Sequence, residues 1–188
     1  MLHLREPRGS RTPQPGREEE RGQLGGKVYV TKFTSDRLLL FGATGDLSRR
    51  MLLPSLCALD AEGLLDPRIE IIGTARSELD DQGFRNFARE ALEQFLPAHR
   101  RGGMATFLNR LSFQPLDANR IEGFDALAGK VGTPQEGLSI FLSTAPSLFE
   151  PTIHGLAQSG LAGDRVRIGL EKPLGIDLAS SKVINDAV

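Results

Sequence analysis

The sequence predicts a doubly wound α/β domain built on a parallel sheet. Short apolar runs alternate with longer segments of helical periodicity, and the first apolar run ends in a glycine-rich turn. The composition, with 39% hydrophobic and 25% charged residues, is that of an ordinary globular protein. Alternating strands and helices form βαβ units, in which right-handed crossover helices join parallel strands. A chain of 188 residues is long enough for one substantial domain.

Residues 1–34 precede this alternation and have no periodicity. They contain Pro7, Pro13 and Pro15, repeated glycines and mixed charge. Such a segment buries too little apolar area to offset the entropy of ordering the chain. We therefore predict a disordered leader over 1–34 and a folded domain over 35–188.

Five short apolar runs are typical of strands that are buried on both faces of a sheet. The first of them, Arg37–Phe41, is rich in leucine and is followed directly by a glycine. The five predicted strands cover 37–41, 69–73, 111–116, 138–142 and 165–170.

The first helix is predicted over 48–62, where leucines recur at three- and four-residue spacing. Gly63 should end it, and Pro54 should kink it because proline has no backbone N–H to donate. The second helix, over 79–96, should bury one apolar stripe. That stripe consists of Phe84, Phe87, Ala91 and Phe95. Later helices are predicted over 103–110, 121–130 and 147–159, and a last helix is predicted to begin after Asp177 as its N-cap.

Composition and charge exclude several classes of function. The net charge is −1 with both signs interspersed, so the chain has no basic face for nucleic acid. No apolar run approaches the roughly 20 residues that span a membrane. Charged residues interrupt the N-terminal segment, so it does not have the apolar stretch of a signal peptide. The single cysteine, Cys57, fits a core position in a reducing compartment, and no metal site is indicated. We expect a cytoplasmic protein.

The turn between the first strand and the first helix carries the main functional signal. In a Rossmann-like sheet this turn holds a dinucleotide pyrophosphate at the helix N-terminus. Gly42 would allow a sharp turn, Gly45 would let backbone N–H groups approach the phosphates, and Asp46 should cap the helix. The spacing is G-x-x-G rather than the G-x-G-x-x-G of a standard Rossmann loop. The alternative that this turn serves only packing therefore stays open. The residues predicted to bind the cofactor here are Gly42, Ala43, Thr44, Gly45, Asp46, Leu47 and Ser48.

The residue after the second strand indicates which dinucleotide is bound. An NAD site usually has an acid there, which holds the ribose 2′-hydroxyl. This sequence has Arg76 instead, and arginine can bind a 2′-phosphate through two charge-assisted hydrogen bonds. We therefore predict NADP as the cofactor, with a solvated surface arginine as the alternative.

Two segments together resemble one family. Residues 42–56, which read GATGDLSRRMLLPSL, resemble the opening loop and helix of glucose-6-phosphate dehydrogenases, including the proline inside the helix. Residues 169–181, which read GLEKPLGIDLASS, resemble that family's Glu-Lys-Pro-Phe-Gly segment. Arg76 and the turn over 143–146 also fall where the family has them, so the likeness runs from about 36 to 188.

The resemblance implies an NADP-dependent oxidoreductase of the pentose phosphate pathway, which oxidises glucose 6-phosphate at C1 to the lactone. It implies that Lys172 contacts both substrate and cofactor, and that Pro173 is cis and aims this lysine into the cleft. The other positions that it implies for the cofactor are Ala145 and Pro146 near the nicotinamide, and Asp117 and Ala118 on the adenosine side.

The sequence departs from the family pattern at three points. Met51 stands where the family often has lysine, and Leu174 replaces its phenylalanine. The family's catalytic histidine, in the motif Arg-Ile-Asp-His-Tyr-Leu, lies beyond the point where this sequence stops. We therefore expect no catalytic residue, no second antiparallel α+β domain with its dimer interface, and an incomplete glucose 6-phosphate pocket. The histidines that are present are not placed to act as a base: His3, His99 and His154.

Two other interpretations stay open. Short-chain NADP reductases also use Gly-Ala-Thr-Gly, but they normally have a third glycine where this chain has Ser48. Their catalytic Tyr-x-x-x-Lys pair has no counterpart, because the only tyrosine, Tyr29, is followed four residues later by Phe33. A non-catalytic NADP-binding module would use the same binding residues without the chemistry.

Overall fold

The computed structural model describes residues 34–170, and its five-stranded parallel sheet confirms the predicted α/β fold class. The strands are β1 (Arg37–Phe41), β2 (Glu70–Ala75), β3 (Leu111–Pro115), β4 (Leu138–Leu142) and β5 (Val166–Leu170). The α-helices are α1 (Leu53–Ala61), α2 (Asp81–Phe95), α3 (Met104–Asn109), α4 (Phe124–Val131) and α5 (Phe149–Gln158). Short 3-10 turns cover Ala98–Arg100, Ile121–Gly123 and Pro146–Leu148.

The strand order β3-β2-β1-β4-β5 places β1 at the centre of the sheet. Leu39 of β1 lies opposite Ile72 of β2 on one side and opposite Ile140 of β4 on the other. The winding reverses between β1 and β4, because β2 and β3 extend the sheet one way and β4 and β5 the other. Such a switch point opens a crevice at the carboxyl ends of the strands, where doubly wound proteins bind ligands.

Successive residues of β1 point to opposite faces of the sheet, and each face has its own core. Leu40 packs in one cluster with Phe84 of α2. Leu39 packs in the other cluster with Phe124 of α4. All four side chains are at most 2% exposed. Helices therefore cover both faces, which is why the strands are continuous apolar runs.

The first helix differs from its prediction at the start. The segment predicted as one kinked helix over 48–62 begins with a π-helical turn over Ser48–Leu52 and becomes α-helical at Leu53. Pro54 lies in the first turn of the α-helical part. Proline has no N–H to donate to the carbonyl oxygen four residues before it. The helix accommodates this missing hydrogen bond with a wider π-helical turn and not with the predicted kink. Gly63, with φ of +69°, follows the end of the helix as predicted.

Helix α2 buries Phe84 and Ala91 of the predicted stripe, but not Phe87 and Phe95. Phe87 is only partly buried, and Phe95 lies under the guanidinium of Arg50, 5.5 Å from the ring centroid. The contact of Phe84 with the sheet explains the change. A Cβ at Gly73 of β2 would lie 2.6 Å from Cζ of Phe84, so the ring packs directly on the backbone of β2 and orients the helix. The buried face consists of Phe84, Ala88, Ala91 and Leu92.

Asp36 joins the segment before β1 to the segment before β4. Its carboxylate accepts hydrogen bonds from the backbone N–H groups of Gln135 at 2.9 Å, Glu136 at 3.0 Å and Gly137 at 3.1 Å. Burial raises the pKa of Asp36, but these hydrogen bonds outweigh it and lower the pKa to about 2. A charged carboxylate therefore fixes the amino ends of the two central strands.

Arg110 closes the connection between α1 and β2. Its guanidinium donates to the carbonyl oxygens of Ile69 at 2.8 Å and Asp66 at 2.6 Å, and forms an ion pair with Asp60. The side chains of the ion pair are mostly buried. Arg110 follows α3, so this contact holds α3 against the loop that leads into β2.

The remaining helices and strands agree with their predicted bounds to within a few residues. Residues 1–33 and 171–188 lie outside the described residues, so the disordered leader and the helix opened by Asp177 stay predictions. No described helix is long and apolar enough to cross a membrane. Cys57, a residue of α1, is buried in the core as predicted.

Candidate functional site

A cleft of about 390 Å³ opens at the carboxyl ends of the strands, around the switch point between β1 and β4. Loops that follow β1, β2, β3 and β4 all contribute to it, as expected where parallel strands end at one edge. The predicted site residues that line this cleft are Gly42, Thr44, Gly45, Arg76, Asp117, Ala118 and Ala145.

Gly42 forms the sharp turn after β1. Its φ is +75°, which side chains other than glycine rarely adopt. A Cβ at this position would lie 2.6 Å from the carbonyl oxygen of Ser143. The N–H groups of Gly42 and Ala43 both donate to the carbonyl oxygen of Thr74, at 2.9 and 3.1 Å. The turn is thereby fixed between β2 and β4. Ala43 is fully buried and does not line the cleft.

The start of the first helix faces the same cleft. Its first backbone hydrogen bond runs from Arg49 N to Gly45 O at 3.0 Å, which leaves the N–H groups of residues 46–48 without a helical acceptor. Gly45 is exposed, and an added Cβ would meet only the carbonyl oxygen of Gly42, at 3.1 Å. Backbone donors at the positive end of a helix, with no side chain over them, are suited to a phosphate group.

Asp46 does not cap this helix as predicted. Its carboxylate accepts a hydrogen bond from Nε of Arg50 at 2.6 Å, and the start of the helix has no side-chain cap. An arginine four residues later offers a charged partner, and the backbone donors at the helix start stay unused. The prediction of a cap was therefore wrong, and the same donors are left available to a ligand.

Hydroxyl groups tie the loops together. Oγ1 of Thr44 lies 2.9 Å from Oγ of Ser77, which links the loop after β1 to the loop after β2. Ser143 donates to the carbonyl oxygen of Phe41 at 2.6 Å and lies 3.4 Å from Oγ of Ser48. Ser48 is fully buried, so its hydroxyl supports the loop. No local pattern predicts this role for Ser77, because its partner is 33 positions away.

Arg76 is exposed at the end of β2, where it was predicted to determine the cofactor. Within residues 34–170 its guanidinium makes no hydrogen bond or ion pair. Asp117, after β3, lies close enough to Arg76 for the positive charge to help lower its pKa. Hydrogen bonding from the backbone of Asn119 is the larger cause of that lowering, and Arg120 also contributes. Among the described residues, therefore, nothing occupies the guanidinium of Arg76, which can bind a ligand.

The turn after β4 forms the remaining wall of the cleft. Ala145 lines it, whereas Leu47 and Pro146 do not. The hydroxyl of Thr144 is buried without a hydrogen-bond partner in the part of the chain that the structure describes, and this residue also lines the cleft. Lys172 and Pro173 lie outside the described residues, so the structure tests neither role.

Neither described histidine lies at the cleft. His99 is exposed in a 3-10 turn. His154 is exposed on α5, where Nε2 lies 2.7 Å from Nε2 of Gln158. The cleft described here therefore offers backbone donors, hydroxyls and a guanidinium, which are groups that bind a nucleotide.

Comparison with known proteins matches this arrangement to one family. A family model described as "Glucose-6-phosphate dehydrogenase, NAD binding domain" matches residues 39–188. Glucose-6-phosphate 1-dehydrogenase of Zymomonas mobilis subsp. mobilis is 53% identical over 157 residues, covering 82% of this chain and 32% of the relative. The match supports the sequence resemblance and a nicotinamide nucleotide as cofactor, which is NADP in that family.

Solved structures agree with the sequence matches. The crystal structure of glucose-6-phosphate 1-dehydrogenase from Mycobacterium avium has a TM-score of 0.74 at 32% identity, covering 81% of this chain and 33% of that one. A glucose-6-phosphate dehydrogenase in complex with its substrate glucose-6-phosphate has a TM-score of 0.68 at 26% identity, covering 84% and 34%. The chain spans about a third of the length of the curated relatives that it matches.

Proposed function

The chain belongs to the glucose-6-phosphate dehydrogenase family, and from this premise we propose that it is the part of such an enzyme that binds NADP. The proposed whole reaction oxidises glucose 6-phosphate at C1 to the lactone, in the cytoplasm and in the pentose phosphate pathway. One observation carries the assignment to NADP. The guanidinium of Arg76 lies at the end of β2, beside the cleft and without an ion pair in the described structure.

The described residues fit a dinucleotide at several points. The pyrophosphate would lie at Gly45 and the N–H groups of residues 46–48, where helix donors lack acceptors and no Cβ intrudes. The buried hydroxyl of Thr144, which has no partner in the described residues, can donate to a ligand in the cleft. Ala145 would border the nicotinamide, and Lys172 would contact both cofactor and sugar phosphate. When bound, NADP supplies the nicotinamide that accepts hydride.

Cofactor preference follows from charge at the end of β2. Arg76 can donate two parallel N–H bonds to a 2′-phosphate, whereas NAD offers only a hydroxyl there. Hydrogen bonds to charged groups contribute about 1.5–3 kcal/mol each, and less where water competes. We expect NADPH to bind about 5–50-fold more tightly than NADH.

Fluorescence titration with both reduced nucleotides tests this preference. Arg76→Ala should weaken NADPH binding to about the level of NADH and leave NADH almost unchanged. Arg89→Ala is the matched control, because Arg89 is an exposed arginine of α2 whose hydrogen bond goes to Asn86. Equal affinities for NADPH and NADH in the parent chain would refute the assignment.

We also propose that the 188-residue polypeptide binds NADP without oxidising glucose 6-phosphate at a useful rate. The reaction needs a base for the proton of the C1 hydroxyl, and a positioned base contributes typically ~10²–10⁴-fold. His99 and His154 are exposed away from the cleft. Absorbance at 340 nm with saturating sugar phosphate is the measurement. Turnover in the ordinary range of ~1–10³ s⁻¹ would contradict the proposal.

A further inference from the structure

We propose that Arg120, in the turn after β3, is a second guanidinium for the adenosine 2′-phosphate and faces it together with Arg76. This inference rests on the proposed NADP-binding function. It adds a residue from the turn after β3 to the residues proposed to bind the cofactor. Glu122, two positions later, is proposed to restrain Arg120 until a phosphate displaces it. The two residues then act in opposite directions on the affinity for 2′-phosphorylated ligands.

The two arginines line one cavity. It has a volume of about 510 Å³, lies beside the cleft described above, and is bordered by Arg76 from the loop after β2 and by Arg120 from the turn after β3. Asp117, in the same turn as Arg120, also lines the cavity. Hydrogen bonding from the backbone of Asn119 is the main cause that lowers the pKa of its carboxyl, and both guanidinium groups add to it. Two guanidinium groups that line one cavity from neighbouring loops can both reach a phosphate bound in it.

The turn that carries Arg120 is held by its own hydrogen bonds. The N–H of Arg120 donates to the carbonyl oxygen of Asp117 at 2.9 Å. Oδ1 of Asp117 accepts from the backbone N–H of Asn119 at 3.0 Å and from its side-chain amide at 3.1 Å. Asp117 is thereby occupied within its own turn. In the described residues neither arginine side chain donates a hydrogen bond to this carboxylate, so both guanidinium groups keep their donors for a ligand.

The acidic neighbours decide how strong the site can be. Glu78, Asp117 and Glu122 all line the cavity with the two arginines, so the lining itself has no excess of positive charge. The pair between Nε of Arg120 and Oε2 of Glu122 is long, at 3.9 Å, and the side chains are 74% and 73% exposed. Exposed pairs of this kind are weak. A phosphate, with three oxygens for planar guanidinium groups, is the stronger partner.

Calorimetric titration with adenosine 2′,5′-bisphosphate and adenosine 5′-monophosphate isolates the 2′-phosphate. Arg120→Ala should weaken binding of the bisphosphate about 3–10-fold and change binding of the monophosphate less than about 2-fold. Glu122→Gln should tighten binding of the bisphosphate about 2–5-fold, because it removes both a competitor and a negative charge. A variant that misfolds cannot bind more tightly, so Glu122→Gln keeps the test decisive.

The controls use a matched ion pair elsewhere. Arg100 and Glu62 form an exposed pair at 3.7 Å, away from the cavity, so Arg100→Ala and Glu62→Gln make the same charge changes. Neither control should alter the affinity ratio of the two ligands. An unchanged ratio in Arg120→Ala, or equal effects of Arg120→Ala and Arg100→Ala, would overturn the inference while the parent chain still binds the bisphosphate. A parent chain that binds neither the bisphosphate nor NADPH would instead overturn the proposed function.

Discussion

Substitution of Gly42 by alanine should destabilise the whole domain. With φ at +75°, an L side chain costs about 1–2 kcal/mol. The new Cβ would also lie 2.6 Å from the carbonyl oxygen of Ser143. This oxygen is backbone at the end of β4, and overpacking of this kind costs about 1–3 kcal/mol. Alanine reduces the freedom of the unfolded chain, which offsets about 0.4–1 kcal/mol. The expected loss is therefore about 2–4 kcal/mol.

A loss of this size is measurable as a lower melting temperature. For a protein of this length, 1 kcal/mol corresponds to roughly 2–4 °C, so Gly42→Ala should melt roughly 5–15 °C below the parent chain. Gly45→Ala is the matched control. Gly45 has no positive φ, and its added Cβ would meet only one carbonyl oxygen, at 3.1 Å. We expect a change of less than about 1 kcal/mol. If Gly42→Ala melts within 2 °C of Gly45→Ala, the reasoning from backbone geometry is refuted.

Four other predictions address the loop, the core and the ends of the strands. Gly45→Val should abolish NADPH binding and leave the circular dichroism spectrum unchanged; retained binding would make the loop a packing turn. Asp36→Asn should cost about 1–3 kcal/mol at pH 7. The pKa of Asp36 falls from 3.8 to about 2 on folding, so this stabilisation is complete above pH 4 and is lost towards pH 2; urea unfolding across that range should show the variant's deficit shrinking. Burial and the charge of Asp60 raise the pKa of Cys57 to about 11, so a thiol reagent at pH 8 should label only unfolded chains, and rapid labelling would contradict burial. Arg110→Met should lower the free energy of unfolding by about 2–4 kcal/mol. A loss below 1 kcal/mol would show that the contacts of Arg110 with the loop before β2 contribute little to stability.

Much of the fold could be predicted because its signals are local. The β1 and β4 strands have the predicted bounds, since continuous apolar runs bounded by glycine or polar residues are typical of strands covered on both faces. The glycine turn after β1 and the arginine after β2 were predicted from their places relative to those strands. Parallel strands end at one edge, so the convergence of Gly42 and Arg76 on one cleft followed from the fold class.

The features that could not be predicted depend on tertiary contacts. Only Phe84 and Ala91 of the stripe predicted for α2 are buried, because the contact of Phe84 with Gly73, which orients the helix on the sheet, cannot be read from helical spacing. Asp46 has the sequence position of an N-cap, but its carboxylate pairs with Arg50, one turn later, and not with the backbone N–H groups of the helix. The pair of Thr44 and Ser77 depends on how two loops meet. Local patterns therefore predicted where the cleft lies, and contacts between distant segments determine its detailed form.

The central position of β1 has a consequence for synthesis of the chain. β1 pairs with β2 soon after both are made, but its other neighbour, β4, comes much later: the contacting residues Asp36 and Gly137 are 101 positions apart. At ~5–20 residues per second, the ribosome needs about 5–20 s to produce that interval. Throughout this time one hydrogen-bonding edge of β1 lacks its strand partner and is open to pairing with another nascent chain. The strand at the centre of the finished sheet is thus exposed to misassembly during translation, and slower translation lengthens that exposure.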